Sequence, residues 1–104
     1  MFGWGVPSVT AGELATKLAA GRVVLIDVRE PSEFAAGHVP QAVNVPLGRL
    51  SERIAKFDPH AETFVICQSG NRSASAVWAL SKAGFDHTYN VKGGTSAWRG
   101  KIVR

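Results

Sequence analysis

Apolar, β-prone runs alternate with segments of helical periodicity along this chain of 104 residues. The run at 23–26 is continuously apolar, which is typical of a strand buried on both faces of a sheet. Similar short runs at 42–45, 63–66 and 87–91 predict further strands. Because helical segments separate these strands, the pattern predicts an α/β fold. We expect a mostly parallel central sheet of about five strands, flanked by helices on both faces.

The helical segments carry their own start and stop signals. Thr10 and Glu13 have the spacing of a capping box that opens a helix over 11–20, and Gly21 follows as its stop. The other predicted helices cover 31–36, 47–57, 72–83 and a short final turn at 95–98.

Length and composition indicate a single domain. A chain of 104 residues can bury one core but not two, and its 45% hydrophobic and 19% charged residues are ordinary for a globular protein. We expect the domain to span 9–100, between an N-terminal tail at 1–8 and a C-terminal tail at 101–104. Phe2 and Trp4 lie in the first tail, and the sequence leaves their role open.

The charge pattern narrows the choice of partners. Twelve Lys and Arg residues against eight Asp and Glu residues give a net charge of +4, and these charges are scattered along the chain. We therefore expect no nucleic-acid partner, whereas a small anion or an acidic protein would suit this surface. No apolar run is long enough to span a membrane and no signal peptide is apparent, so we expect no membrane association and a cytoplasmic location.

The single cysteine, Cys67, is the strongest candidate for chemistry. It ends the β-prone run 63–66 and precedes a polar loop that enters a helix. Loop amides and the amino end of a helix both favour an anion, so this placement lowers a thiol pKa and favours the reactive thiolate. The alternative is a small buried hydrophobic residue without function. One cysteine also excludes an internal disulfide and a Cys-rich metal site, and we expect no metal and no cofactor.

The loop after Cys67 favours the functional interpretation. Arg72 can donate a planar fork of hydrogen bonds to an oxyanion, and Gly70 permits a tight turn with inward-facing amides. Further donors in the loop are Gln68, Ser69, Asn71 and Ser73.

A second polar stretch follows the strand at 23–26. Carboxyl ends of parallel strands meet at one edge of a sheet, which brings Asp27 and Arg29 toward the Cys67 loop as supporting residues. Asp27 is suited to orient that loop by accepting backbone hydrogen bonds. For Arg29 we favour a structural ion pair with Glu33, four residues later. Trp78 and Trp98 are predicted to be packing aromatics.

The order and spacing of several motifs resemble single-domain rhodaneses, a family of sulfurtransferase domains. The resemblance covers about 9–98. It rests on these stretches: Leu25-Ile26-Asp27-Val28-Arg29, Glu33-Phe34, Gly37-His38-Val39-Pro40, Ala42-Val43-Asn44-Val45-Pro46, the loop Cys67 to Ser73, Val91-Lys92-Gly93-Gly94, and Trp98. Gln41 departs from the family, which often has glycine there, but it falls in a connecting turn.

The resemblance implies ping-pong sulfur transfer. The Cys67 thiolate would take the outer sulfur of thiosulfate or of a persulfide donor, and cyanide or a thiol would then remove it. Amides from Gln68 to Ser73 would surround the terminal sulfur, and Arg72 would hold the anionic end of thiosulfate.

Other functions remain as alternatives. Phosphatases and arsenate reductases of related fold use a Cys-x5-Arg loop, whereas Cys67 and Arg72 have the shorter Cys-x4-Arg spacing, which favours a single sulfur atom over a phosphate. A carrier fed by a protein donor of sulfur would use the same persulfide, and a protein acceptor is also open. A regulatory interaction module would need neither Cys67 nor Arg72.

Overall fold

A central sheet of five strands organises the computed structural model, which describes residues 5–104. The strands are β1 (Ser8–Val9), β2 (Val24–Asp27), β3 (Val43–Asn44), β4 (Thr63–Ile66) and β5 (Thr88–Val91). Their spatial order is β1-β5-β4-β2-β3, and all neighbouring pairs are parallel. The predicted α/β fold is thus confirmed. The question raised by Phe2 and Trp4 lies outside the described residues.

The described part of the chain contains five α-helices, four between successive strands and a fifth after β5. They are α1 (Ala11–Ala20), α2 (Pro31–Ala36), α3 (Leu50–Arg53), α4 (Asn71–Lys82) and α5 (Gly94–Ala97). The capping box predicted for α1 is present, because Thr10 Oγ1 accepts from the Glu13 amide at 3.0 Å and Glu13 Oε1 accepts from the Thr10 amide at 2.8 Å.

Two local predictions were wrong. The segment 47–57 is not one helix, because 3-10 turns at Leu47–Arg49 and Ile54–Lys56 flank the short α3. Gly48 lowers the helix propensity of the first turn. The succession of 3-10, α and 3-10 turns nevertheless directs the apolar side chains toward the core. The sequence pattern also missed β1, whose two residues pair with β5 across most of the chain length and carry no local strand signal.

The core consists of two apolar clusters, one on each face of the sheet. Side chains alternate along β4, so Phe64 and Ile66 join the cluster that contains Leu14 of α1. Val65 and Cys67 belong to the opposite cluster, which contains Leu80 of α4. Because side chains alternate along the strand, the Cys67 thiol lies on the same face of the sheet as α4.

The terminal segments of the described chain contact the domain. The Pro7 carbonyl accepts from the Asn90 amide at 2.8 Å, which extends the pairing of β1 with β5. Near the other end, Val103 and His38 exchange two backbone hydrogen bonds of 2.9 Å each. The C-terminal segment thus holds the turn that follows α2, close to the edge where β2 and β4 end.

Candidate active site

Cys67 lies at the carboxyl end of β4, where the strand meets the loop that leads into α4. Its side chain is only 1% exposed. Gly70 ends the loop in the left-handed region, with φ +103°, and α4 begins at the next residue, one position earlier than the sequence predicted. A conformation with this φ favours glycine, so Gly70 is what lets the loop fold tightly around the sulfur.

Hydrogen-bond donors converge on the sulfur atom. The amides of Gly70 and Ser73 donate to Sγ at 3.1 and 3.4 Å, and the Ser73 hydroxyl oxygen lies 3.3 Å from Sγ. Burial by itself raises the pKa of Cys67, but hydrogen bonding by the Ser73 hydroxyl and by the amides of Ser73, Gly70 and Ser69 outweighs it. The net result is a pKa of Cys67 below its ordinary value, which favours the thiolate.

Backbone amides near the start of α5 donate hydrogen bonds to this loop. Thr95 donates its amide to the Cys67 carbonyl at 2.8 Å, and Ser96 donates to the Gln68 carbonyl at 3.1 Å. Gly94 makes this approach possible, since a Cβ there would lie 2.6 Å from the Gln68 carbonyl carbon and closer still to the Cys67 carbonyl oxygen. The two loop carbonyls are therefore bound to α5, while the amides of Gly70 and Ser73 face the sulfur.

The remaining loop positions form the solvent-exposed part of the loop, which we call the mouth of the site. Gln68, Ser69 and Asn71 are exposed. Their side chains can therefore contact a substrate that approaches Cys67. The amide cradle that the sequence predicted from Gln68 to Ser73 is formed here by Ser69, Gly70 and Ser73.

A buried amide side chain that the sequence analysis missed supports Ser73. Asn90 of β5 is 3% exposed, and its Oδ1 accepts the Ser73 hydroxyl proton in a short hydrogen bond. The available signal was a single amide within the β-prone run 87–91, at a position that strand packing would give to an apolar residue. Cys67, Ser73 and Asn90 thus form a continuous polar chain inside the domain.

Arg72 pairs with Glu33 in this structure. Its Nη1 and Nη2 donate to the two Glu33 carboxylate oxygens at 2.8 and 3.0 Å, which joins α4 to α2 in a bidentate ion pair. This hydrogen bonding and that of the Glu30 amide lower the pKa of Glu33 to about 2. The predicted pair between Arg29 and Glu33 was wrong, because the Glu33 carboxylate reaches across to α4 instead.

Arg29 folds back onto Asp27 and is 7% exposed. Its Nε lies 3.1 Å from both Asp27 carboxylate oxygens, and its Nη2 donates to Asp27 Oδ2 and to the Gly37 carbonyl, each at 2.8 Å. Asp27 also accepts the Arg29 amide, so its backbone partner lies in its own loop and the predicted contact with the Cys67 loop was wrong. Asn44 donates to the Asp27 and Arg29 carbonyls and fixes the β2–α2 connection.

The predicted packing aromatics differ in their surroundings. Trp98 packs against the cluster on the α1 face and donates its Nε1 proton to the Lys101 carbonyl. Trp78 is 46% exposed and is therefore not a core residue; it lies on the outer side of α4 against Lys82, whose Nζ is 5.3 Å from the ring centre.

Metal-binding clusters and membrane-spanning helices are both absent from the described part of the chain. Residues 5–104 contain no group of three His, Cys, Asp or Glu side chains placed to hold a metal ion. Within the same range, no helix combines the length and the apolar character that crossing a membrane requires.

A family model described as the rhodanese-like domain matches residues 10–101. This chain belongs to the rhodanese-like domain family. YtwF of Bacillus subtilis, provisionally named a sulfurtransferase, is 38% identical over 92% of this chain and 93% of its own length. Human single-domain sulfurtransferase TSTD1 superposes with a TM-score of 0.82 at 30% identity, covering 93% of this chain and 100% of that one.

Two further similar proteins are longer than this chain. YqhL of B. subtilis is 44% identical over 75% of this chain, which spans 62% of that protein. YrkF of the same organism, provisionally named a sulfur carrier protein, is 38% identical over 74% of this chain, which spans 42% of YrkF. The names of the relatives support sulfur transfer as the general chemistry of these domains.

Proposed function

We propose that this domain is a sulfurtransferase that carries a sulfane sulfur on Cys67. The Cys67 thiolate attacks the outer sulfur of thiosulfate, the S–S bond of the donor breaks, and sulfite leaves with the bonding electrons. Cyanide then attacks the outer sulfur of the Cys67 persulfide, which releases thiocyanate and returns the thiolate. With an alkyl persulfide as donor, a thiolate leaves in place of sulfite, and a thiolate acceptor that takes the outer sulfur becomes a persulfide in place of thiocyanate.

The convergence of donors on Sγ is the observation that carries this proposal. A persulfide places a second sulfur, with its negative charge, beyond Sγ and toward the loop. The amides of Gly70 and Ser73 already donate to Sγ from this loop, and fixed amides stabilise charge without the reorganisation that water requires. The lowered pKa of Cys67 supplies the thiolate for the first step.

The other loop residues have secondary roles in this proposal. Gln68, Ser69 and Asn71 contact the donor at the mouth of the site, where they are exposed. Asp27 and Arg29 support the edge of the sheet and do not touch the substrate, since both are buried in their own ion pair. We further propose a cytoplasmic location, because a reducing compartment keeps the Cys67 thiol available.

A carrier fed by another protein is the second candidate. Two observations favour it: YrkF is provisionally named a sulfur carrier protein, and Arg72, the side chain best suited to an anionic donor, is bound to Glu33. The chemistry at Cys67 would be the same, but free thiosulfate would be a poor donor.

Intact mass spectrometry tests the proposed function directly. The reduced protein is incubated with thiosulfate or with an alkyl persulfide, desalted, and then exposed to cyanide. We expect a gain of one sulfur atom that cyanide removes and that Cys67→Ser does not show. Gain from the persulfide alone would favour the carrier, whereas no gain from either donor would refute sulfur transfer through Cys67.

A further inference from the structure

The ion pair between Glu33 and Arg72 occupies the terminal fork of the guanidinium, which an oxyanion would otherwise bind. Both terminal nitrogens of Arg72 donate to Glu33, and Glu33 Oε1 also accepts the Glu30 amide at 2.9 Å. The carboxylate is therefore fixed from its own helix, α2, while it binds the first turn of α4. A bidentate fork of this kind is the geometry by which arginine binds carboxylates and other oxyanions.

This pair lies beside the reactive sulfur. Glu33 is on the helix that follows β2, Arg72 is on the helix that follows β4, and these two strands are neighbours in the sheet. The charge of Cys67 is close enough to raise the pKa of Arg72, after the larger influence of Glu33. The side chains of Arg72 and Glu33 are 37% and 30% exposed, so a small donor at the mouth of the site can reach both.

The pair acts differently on the two classes of sulfur donor. Thiosulfate carries two negative charges, and its oxyanion group would suit the terminal fork of Arg72. Whether it displaces Glu33 from that fork or binds the remaining N–H donors of Arg72, it stands beside the Glu33 carboxylate, which repels it. An alkyl persulfide has no oxyanion group, so its outer sulfur can meet Cys67 without disturbing the pair.

We infer that Glu33 selects the class of sulfur donor, by holding Arg72 so that alkyl persulfides are favoured over oxyanion donors such as thiosulfate. This inference rests on the proposed function of Cys67. Glu33 acts through Arg72 and is a positioning residue for donor choice. The ionisation of Glu33 suits this role, because its pKa of about 2 keeps the carboxylate charged at neutral pH.

The test compares second-order rate constants for sulfur loading from thiosulfate and from 2-hydroxyethyl persulfide, measured by intact mass. In Glu33→Gln the amide oxygen can still accept from the Glu30 amide, but the charge that holds Arg72 is gone. We expect the thiosulfate rate constant to rise about tenfold, as loss of one charge-assisted interaction allows. The persulfide rate constant is expected to change less than twofold.

Two further variants separate donor choice from general effects. Glu52→Gln breaks the exposed pair between Glu52 of α3 and Arg49 of the preceding 3-10 turn, and we expect it to leave both rate constants unchanged. Glu33→Gln combined with Arg72→Ala is expected to lose the gain with thiosulfate, since no guanidinium remains to be freed. If Glu33→Gln fails to fold, Glu33→Asp replaces it, because a carboxylate one methylene shorter loosens the bidentate geometry and should raise thiosulfate loading to a smaller extent.

The outcomes distinguish this inference from the proposed function. A rate ratio between the two donors that is the same in wild type and Glu33→Gln, or thiosulfate loading that falls in the variant, would overturn donor selection while sulfur transfer through Cys67 stands. No loading of the wild-type protein by either donor would overturn the proposed function, and the inference with it.

Discussion

Ser73 donates its hydroxyl proton to Oδ1 of Asn90 while its oxygen lies 3.3 Å from Sγ of Cys67. A hydroxyl has one proton to donate. In the thiol form, Cys67 can donate to Ser73 and Ser73 to Asn90. In the thiolate form, the Ser73 proton is needed at the sulfur, and the Asn90 amide can supply an N–H donor to Ser73 if it turns. Asn90 thus serves either protonation state of Cys67 through Ser73.

Removal of the Ser73 hydroxyl should therefore raise the pKa of Cys67. The hydroxyl is the largest of the influences that lower this pKa. Ser73→Ala is expected to shift the pH profile of sulfur loading from a persulfide donor to higher pH. Ser81→Ala is the matched control, because its hydroxyl donates to the Trp78 carbonyl on the exposed side of the same helix. Equal profiles for both variants would contradict the role of Ser73.

Gly94 should be the least replaceable glycine of the site. An added Cβ would overlap the backbone of Cys67 and Gln68, which is held by the hydrogen bonds to α5. We expect Gly94→Ala to lower the free energy of unfolding by more than about 2 kcal/mol, since strain at positive φ alone costs about 1–2 kcal/mol. The displaced loop should also slow sulfur loading.

Gly84→Ala provides the control for this steric argument. Gly84 also has positive φ, +101°, but apart from its own chain neighbours no atom lies within 4 Å of the Cβ position there. Its cost measures backbone strain without overlap. Urea unfolding of the two variants separates backbone strain from steric overlap. If Gly94→Ala lowers the free energy of unfolding no more than Gly84→Ala does, the close approach to the Cys67 loop is unimportant.

Arg29 should contribute to stability rather than to chemistry. Arg29→Met keeps much of the side-chain volume but leaves the fully buried Asp27 carboxylate without its cation, and breaking a buried pair in this way costs about 3–5 kcal/mol. Arg49→Met, which breaks an exposed pair with Glu52, is expected to change stability by less than about 0.5 kcal/mol. Similar denaturation midpoints for the two variants would mean that Asp27 is paired elsewhere.

The elements that sequence alone predicted correctly are those with local signals. The α1 helix has its capping box, the β4 strand has its β-prone run, and the predicted bounds of both match the structure. The loop from Cys67 to Ser73 was also predictable, because thiol, turn residue and donors are adjacent in sequence. The two-residue β1 strand was missed, since its existence depends on pairing with β5.

The partners of the site residues could not be predicted because they are distant in sequence. Glu33 lies 39 residues before Arg72, and Asn90 lies 17 residues after Ser73. The four-residue spacing predicted Arg29 as the partner of Glu33. That spacing alone cannot show whether this pair is more stable than a pair formed between two helices. In the folded domain Arg29 is buried in an ion pair with Asp27, and Glu33 forms its ion pair with Arg72 instead.

The same pair should leave a signature in acid stability. The pKa of Glu33 falls from an ordinary value near 4.5 in the unfolded chain to about 2 in the folded one. A depressed folded-state pKa stabilises the protein above the unfolded value, and that contribution is lost as pH falls from about 4.5 toward 2. The side chains are partly exposed, so we expect Glu33→Gln to cost about 1 kcal/mol at pH 7. The difference in unfolding free energy between wild type and variant, measured with urea across this range, should shrink toward zero near pH 2. Other acidic groups cancel in this difference, so a gap that stays constant with pH would mean that Glu33 gains no charge-dependent stabilisation from Arg72.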